Sequence, residues 1–155
     1  MSYAVEQIEG LRYSDRRAVV FLTSNEDEDL NAFDEFQQLP TNTDRKVRDR
    51  MDYWIGGGIH DDYFHGWPND PEKKECFSFR WNEKRQRHRF YGFLHHPYLQ
   101  TDPRFLLCVL LTHAIKNDWN TDPGELNKAN TLRVDPCVLA AIKMVFSDEH
   151  NTWTN

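Results

Sequence analysis

The stretch "ECFSFRWNEKRQRHRFYGFL", residues 75–94, decides the fold. Its first part alternates strictly: Phe77, Phe79 and Trp81 fall on one side, Cys76, Ser78 and Arg80 on the other. Period-two alternation of this kind is the mark of a β-strand with two unlike faces. A polar turn, "NEKRQ", follows, and then "RHRFYGFL" alternates in its turn. Arg87, Arg89, Tyr91 and Phe93 share one face, and Phe90 and Leu94 share the other. Two such runs around a short polar turn predict an antiparallel hairpin. Its polar face carries Arg80, Arg87, Arg89 and Tyr91. That is an unusual load of positive charge for a chain of net charge −6, so the face reads as either a wetted sheet surface or a grip on something anionic.

Outward from the hairpin, "RFLLCVLLTH" (104–113) is apolar on both faces, as a central strand is, and "RRAVVFLTS" (16–24) is a second β-branched strand. In "EDEDLNAFDEFQQL" (26–39), Leu30, Phe33, Phe36 and Leu39 recur every three residues, with Ser24 as a cap and Pro40 as the stop. A second helix fits "TDRKVRDRMDYWI" (43–55), with Val47, Met51, Trp54 and Ile55 inward and Gly56–Gly58 closing it. Arg45, Lys46, Arg48 and Arg50 read as its solvated outer side. Residues 59–74 are rich in turn formers and read as an ordered loop. "DPGELNKANTLR" (122–133) and "DPCVLAAIKMVF" (135–146) each open with Asp-Pro, a cap followed by a first-turn proline. The order β-α-α-β-β-β-α plus an extra helix predicts an α+β domain. It consists of a small, mostly antiparallel sheet with helices on one face and the arginine face displayed on the other.

At 155 residues, 39% hydrophobic, the chain suits one domain with its own core. No apolar run reaches membrane-spanning length, and "MSYAVEQIEG" lacks the layout of a signal peptide. Cys76, Cys108 and Cys137 have no metal-ligand spacing and read as reduced core thiols of a cytoplasmic protein. The acidic total argues against indiscriminate nucleic-acid binding, but its distribution is uneven. Residues 45–89 hold eleven Lys/Arg against eight acids, whereas residues 1–44 hold three against ten.

Four stretches carry a resemblance to the RelE/HigB toxin superfamily, in particular its phage-derived branch. "RRAVVFL" resembles that family's first strand. "FDEFQQLPTNTDRKVRDRMDYWIGGG" is similar to its helical hairpin, and "CFSFRW…RHRFYGFL" to its paired strands. "LLTHAIKNDWNTDPGELNKANTLR" is similar to its last strand, lysine-bearing turn and closing helix. The similarity spans about residues 16–133 and leaves the helix at 135–146 outside. It implies the toxin component of a type II toxin–antitoxin system, a ribosome-dependent mRNA endoribonuclease that needs no cofactor. The implied partners are mRNA on the ribosome and an antitoxin protein. By position, Arg89 falls on the strand arginine at the scissile phosphate and Arg80 on the arginine closing the preceding strand. His113 falls on the histidine before the basic turn, and Lys116 on that turn.

The chemistry suits these residue types. Cleavage by 2′-hydroxyl attack requires stabilisation of an anionic phosphorane, which arginine forks supply, and proton transfer near neutrality, which histidine supplies. Tyr91 would stack on a base, and Lys84, Arg85 and Arg87 would dock the RNA. Three features favour an alternative, a catalytically inactive phage-derived binding module of the same fold. The chain is acidic, and small residues, Cys76 and Ser78, stand where some relatives place lysines, while Asn117 and Asp118 thin the turn. A third reading takes His60, His65, His95 and His96 with Asp61 and Asp62 as metal ligands, but their spacing matches no established set. Trp54, Trp67, Trp81 and Trp119 read as core or loop anchors ahead of base-stacking platforms. The apolar stripe of the last helix (Val138, Leu139, Ile142, Val145, Phe146) would cover a sheet edge, pack on the closing helix or pair two copies of the chain.

Overall fold

The computed structural model describes residues 2–11, 13–60, 62–116 and 123–146. Ten elements follow one another: β1 (Ala4–Gln7), β2 (Arg17–Thr23), α1 (Ala32–Gln37), α2 (Thr41–Ile55), β3 (Phe64–Gly66), β4 (Cys76–Glu83), β5 (Gln86–His95), β6 (Leu106–Lys116), α3 (Pro123–Leu132) and α4 (Pro136–Val145). The strands form one sheet in the order β1-β2-β6-β5-β4-β3, antiparallel except for β2 beside β6. This is an α+β architecture with a mostly antiparallel sheet. The short edge strands β1 and β3 were not legible in the sequence, and β3 lies inside the stretch read as a loop.

The helices cover both faces of the sheet, which corrects the expected single layer. On the first face, Phe21, Phe77, Phe79, Trp81 and Phe90 pack under Ala32 and Phe36 of α1 and Val47, Met51, Trp54 and Ile55 of α2. On the second, Val20, Cys76, Tyr91, Phe93, Leu107 and Val109 pack under Leu126, Ala129 and Leu132 of α3 and Val138 and Ile142 of α4. A sheet buried on both sides explains the unbroken apolar runs of β2 and β6, because neither strand has a wet face to keep polar. The closing helix and the extra helix supply the second layer. Val138, Ile142 and Phe146 settle the place of the latter against the sheet.

Local chemistry sets the helix ends. The second helix closes with Gly57 at φ +103, its N–H bonded to the Trp54 carbonyl and that of Gly58 to the Tyr53 carbonyl. This pair of bonds satisfies carbonyls that the helix itself leaves open, and glycine supplies the left-handed residue at no steric cost. The fourth helix starts with Pro136 behind Asp135, whose carboxylate accepts the Cys137 N–H at 2.8 Å. Cys76 and Cys108 are buried, whereas Cys137, expected in the core, is exposed in the first turn of this helix. The first helix is shorter than its periodicity predicted. Ser24 and Asp27 accept backbone N–H groups two residues on, at Glu26 and Asp29, and so stabilise turns in place of a helical start. Leu30 accordingly joins the second-face core, while Phe36 joins the first.

One irregularity positions the site. Tyr91 pairs with Thr112 and Gly92 with Leu110, so Leu111 is an extra residue in β6, a β-bulge. Gly92 is required there: a Cβ at that position would lie 1.9 Å from the Val109 carbonyl oxygen. Beyond the bulge the alternation of β6 is reversed. Thr112, Ala114 and Lys116 lie on the second face, opposite Tyr91, Arg89 and Arg87, and His113 lies on the first, opposite Phe90.

Candidate functional site

The register of β4, β5 and β6 builds three rows on the second face. Ser78, Tyr91 and Thr112 form the first, Arg80, Arg89 and Ala114 the second, Asn82, Arg87 and Lys116 the third. Like charges directly opposite one another weaken a sheet. Here Arg80 faces Arg89 and Arg87 faces Lys116, so four cations gather on adjacent rows. Lys116 is the last residue of β6, on the strand and not on a following turn.

Arg80, Arg87 and Arg89 line a cavity of about 310 Å³, together with Asn82, Asp62, Tyr63 and Arg50. The last of these comes from α2, which crosses to the β4 edge. Arg50 donates to the Arg80 carbonyl at 3.1 Å, and its guanidinium lies 3.9 Å from the centre of the Tyr63 ring. His60 stacks on Tyr63 with centroids 4.2 Å apart. Burial pulls Arg50 below its ordinary pKa, against the opposing effects of Tyr63 and Asp62. Lys46, one helical turn earlier, donates to the Asn82 carbonyl at 2.9 Å. Its ammonium is lowered by burial and next by the charge of Arg50, while Glu83 opposes both.

Arg89 is the most informative member. Only 2% of its surface is exposed, whereas the sequence placed it on an open face. Among the described residues its hydrogen bond runs to a neutral group, the Tyr91 hydroxyl at 3.2 Å. A guanidinium withdrawn from water and left without a carboxylate is unfavourable by several kcal/mol in a sealed interior, and by less where it borders a cavity. Tyr91 is itself fully buried, so the expected base-stacking surface is not there; its hydroxyl orients Arg89. Arg80 is held by a bond from its Nε to the buried Ser78 hydroxyl at 3.3 Å, and by its backbone N–H to the Tyr63 carbonyl at 2.7 Å. Lys84 and Arg85 form the two-residue turn of the hairpin, at φ +50 and +66.

His113 does not join this group. It lies on the first face, within 2.9 Å of His88 (Nδ1 to Nε2), in a stack with Trp81. Burial depresses both imidazoles. For His113 the facing His88 adds to this, and Glu35 opposes it for each. Its backbone N–H donates to Asn31 at 2.9 Å. The cavity bordering His113 is a different one, of about 320 Å³, lined by Glu28, Asp29, Glu125 and Lys128. The Thr112 hydroxyl donates to Glu125 there, and Lys128 bonds Asp27 at 2.8 Å. A mostly acidic lining repels a phosphate. Sheet pleating therefore splits the expected catalytic set: Arg80, Arg89 and Lys116 on one face, His113 on the other.

The remaining histidines are spread out. His65 meets Trp67 edge-on, His95 is lowered by burial and then by His96, and the His96 Nδ1 lies 3.2 Å from the Phe105 carbonyl. Among the described residues no three His, Cys, Asp or Glu side chains gather as a metal site, and Asp61 lies outside those residues. Trp54 and Trp81 are core residues, and Trp67 packs against the second-face core, whereas Trp119, Asn117 and Asp118 lie outside the described residues. Arg50 is the site residue that sequence reasoning missed, because on α2 it is one of four cations on an outer helix face. Among the described residues no helix is long and apolar enough to cross a membrane. No protein family, curated protein or solved structure matches the chain.

Proposed function

We propose that the protein is a RelE/HigB-like RNA-binding domain whose arginine cavity takes an RNA phosphate, in the form that has kept the grip and lost the cleavage chemistry. The observation that carries the reading is Arg89: a buried guanidinium with a neutral partner, at the wall of a cavity shared with Arg50, Arg80 and Arg87. An incoming phosphate offers Arg89 an anionic partner through forked, charge-assisted hydrogen bonds. Loss of cleavage follows from His113, the acid–base residue that the resemblance implies. It is bonded to a second imidazole, held toward its neutral form and turned to the opposite face.

A second reading, the endoribonuclease toxin, draws on the juxtaposition of Arg80, Arg89, Arg87 and Lys116 in adjacent rows. Transition-state charge stabilisation is the larger part of such catalysis and needs no histidine. The toxin reading implies a protein partner of antitoxin type. Regulated expression in bacteria, wild type beside Arg89→Ala, with mapping of mRNA 5′ ends, decides between them. Normal growth and intact mRNA, with RNA bound by the purified wild type and not by the variant, is the expected result. Growth arrest with Arg89-dependent cleavages would replace it with the toxin reading. A folded wild type that binds no RNA would remove both.

A further inference from the structure

We infer that His60 is the platform on which an unpaired RNA base stacks, at the rim of the arginine cavity. The inference rests on the RNA-binding reading above. It supplies the base contact which that reading lacks, because Tyr91, the residue expected in this role, is fully buried. Its first support is a three-layer stack. The His60 ring lies 4.2 Å from the Tyr63 ring with 13° between their planes, and the Arg50 guanidinium lies 3.9 Å from the centre of the same Tyr63 ring. Two groups at such separations cannot share one face of a ring, so Tyr63 is covered on both. The stack can grow only from the far side of His60. That residue is exposed and, among the described residues, meets no further ring or guanidinium.

Order gives the second support. The Nδ1 of His60 accepts the Asp62 N–H at 3.2 Å, and its carbonyl accepts the N–H groups of Tyr63 and Phe64, each at 2.9 Å. A ring already held in place loses little freedom when a base settles on it. The neighbourhood gives the third. Next in the chain, Ile59 is 82% exposed, and Tyr53, 50% exposed, lies against Gly58. Apolar and aromatic groups left in water beside a cavity lined by arginines are the combination that single-strand binding uses. Stacking makes no demand on the charge of that cavity, where Asp62 stands among the arginines. Every base offers a π-face, so the platform serves single strands of any sequence.

The test measures binding of the full chain to a short oligoadenylate and to the same ribose-phosphate backbone with abasic positions. Two variants separate the ring from its place in the loop. His60→Asn keeps an acceptor for the Asp62 N–H and removes the ring, whereas His60→Phe keeps a ring and removes the acceptor. The expected result is that His60→Asn binds oligoadenylate about 5- to 30-fold more weakly, while His60→Phe stays within about threefold of the wild type. That ratio holds from about 50 to 200 mM salt although every affinity falls, because stacking releases no counterions. The abasic strand binds the wild type and His60→Asn alike. A loss in His60→Phe with none in His60→Asn would overturn the inference and make His60 a loop anchor. An abasic strand bound by the wild type as tightly as oligoadenylate would overturn it with no variant involved. Wild-type affinity in both variants, still abolished by Arg89→Ala, would overturn it and leave the phosphate reading standing. A wild type that binds neither strand would end both.

Discussion

The hairpin turn at Lys84 and Arg85 holds two long cationic side chains in left-handed backbone, φ +50 and +66, between the paired residues Glu83 and Gln86. A two-residue turn with both φ positive matches the twist of its strands, and Asn-Gly is its favoured sequence. Each ordinary residue in that region costs about 1–2 kcal/mol. Lys84→Asn with Arg85→Gly therefore relieves roughly 2–3 kcal/mol, less about 0.5–1 kcal/mol for the added freedom of glycine in the unfolded chain. The expected net gain is about 1–2 kcal/mol, a rise of roughly 3–8 °C in Tm for a chain of this length. Thermal and urea unfolding followed by circular dichroism measure it. Lys84→Ala with Arg85→Ala is the control: it removes the same charges and keeps the strain. If the alanine pair gains as much as the Asn-Gly pair, charge crowding and not backbone strain is the cause. If the Asn-Gly pair gains nothing, the turn is not strained and the reasoning fails. Both double variants lower the salt dependence of RNA binding, by about 0.7 in logarithmic slope for each lost phosphate contact.

Three further outcomes are expected. Arg89→Met raises the stability of the ligand-free protein by about 1 kcal/mol while removing anion binding, since it takes away a buried charge whose hydrogen bond among the described residues goes to the neutral Tyr91 hydroxyl; a Tm lowered by several degrees would mean that Arg89 holds the fold together. The His88–His113 pair makes stability depend on pH. Both folded-state values are depressed, so the unfolded chain takes up protons first. Their contribution is complete above about pH 6.5 and lost as pH falls toward the folded values, at up to about 1.4 kcal/mol per pH unit for each proton. His113→Gln flattens that slope in urea titrations at a series of pH values, and an unchanged slope would remove the pair from the account. Gly92→Ala drives a methyl group into the Val109 carbonyl and destabilises by about 3 kcal/mol or more, read as a lowered urea midpoint; a near-neutral result would show that the bulge relaxes.

The sequence by itself determined the hairpin of β4 and β5 and the residues on each of its faces, because alternation is a local property of extended backbone. It also determined the ends of α2 and α4, where Gly57 and Asp135 act on backbone groups a few residues away. The tertiary structure decided everything that depends on distant chain. The strands β1 and β3, four and three residues long, exist because β2 and β4 offer edges to pair with, and neither is long enough to show a period. The second face is closed because α3 and α4 return over Tyr91 and Phe93, which buries a surface that the alternation alone left open. Arg50 reaches the site because α2 runs across the sheet to the β4 edge, an encounter that no spacing within α2 encodes. The bulge at Leu111 had the largest consequence. In a strand that is apolar on both faces, one extra residue leaves the hydrophobic pattern unchanged. It nevertheless reverses every later side chain, bringing Lys116 beside Arg87 and sending His113 to the far side of the sheet.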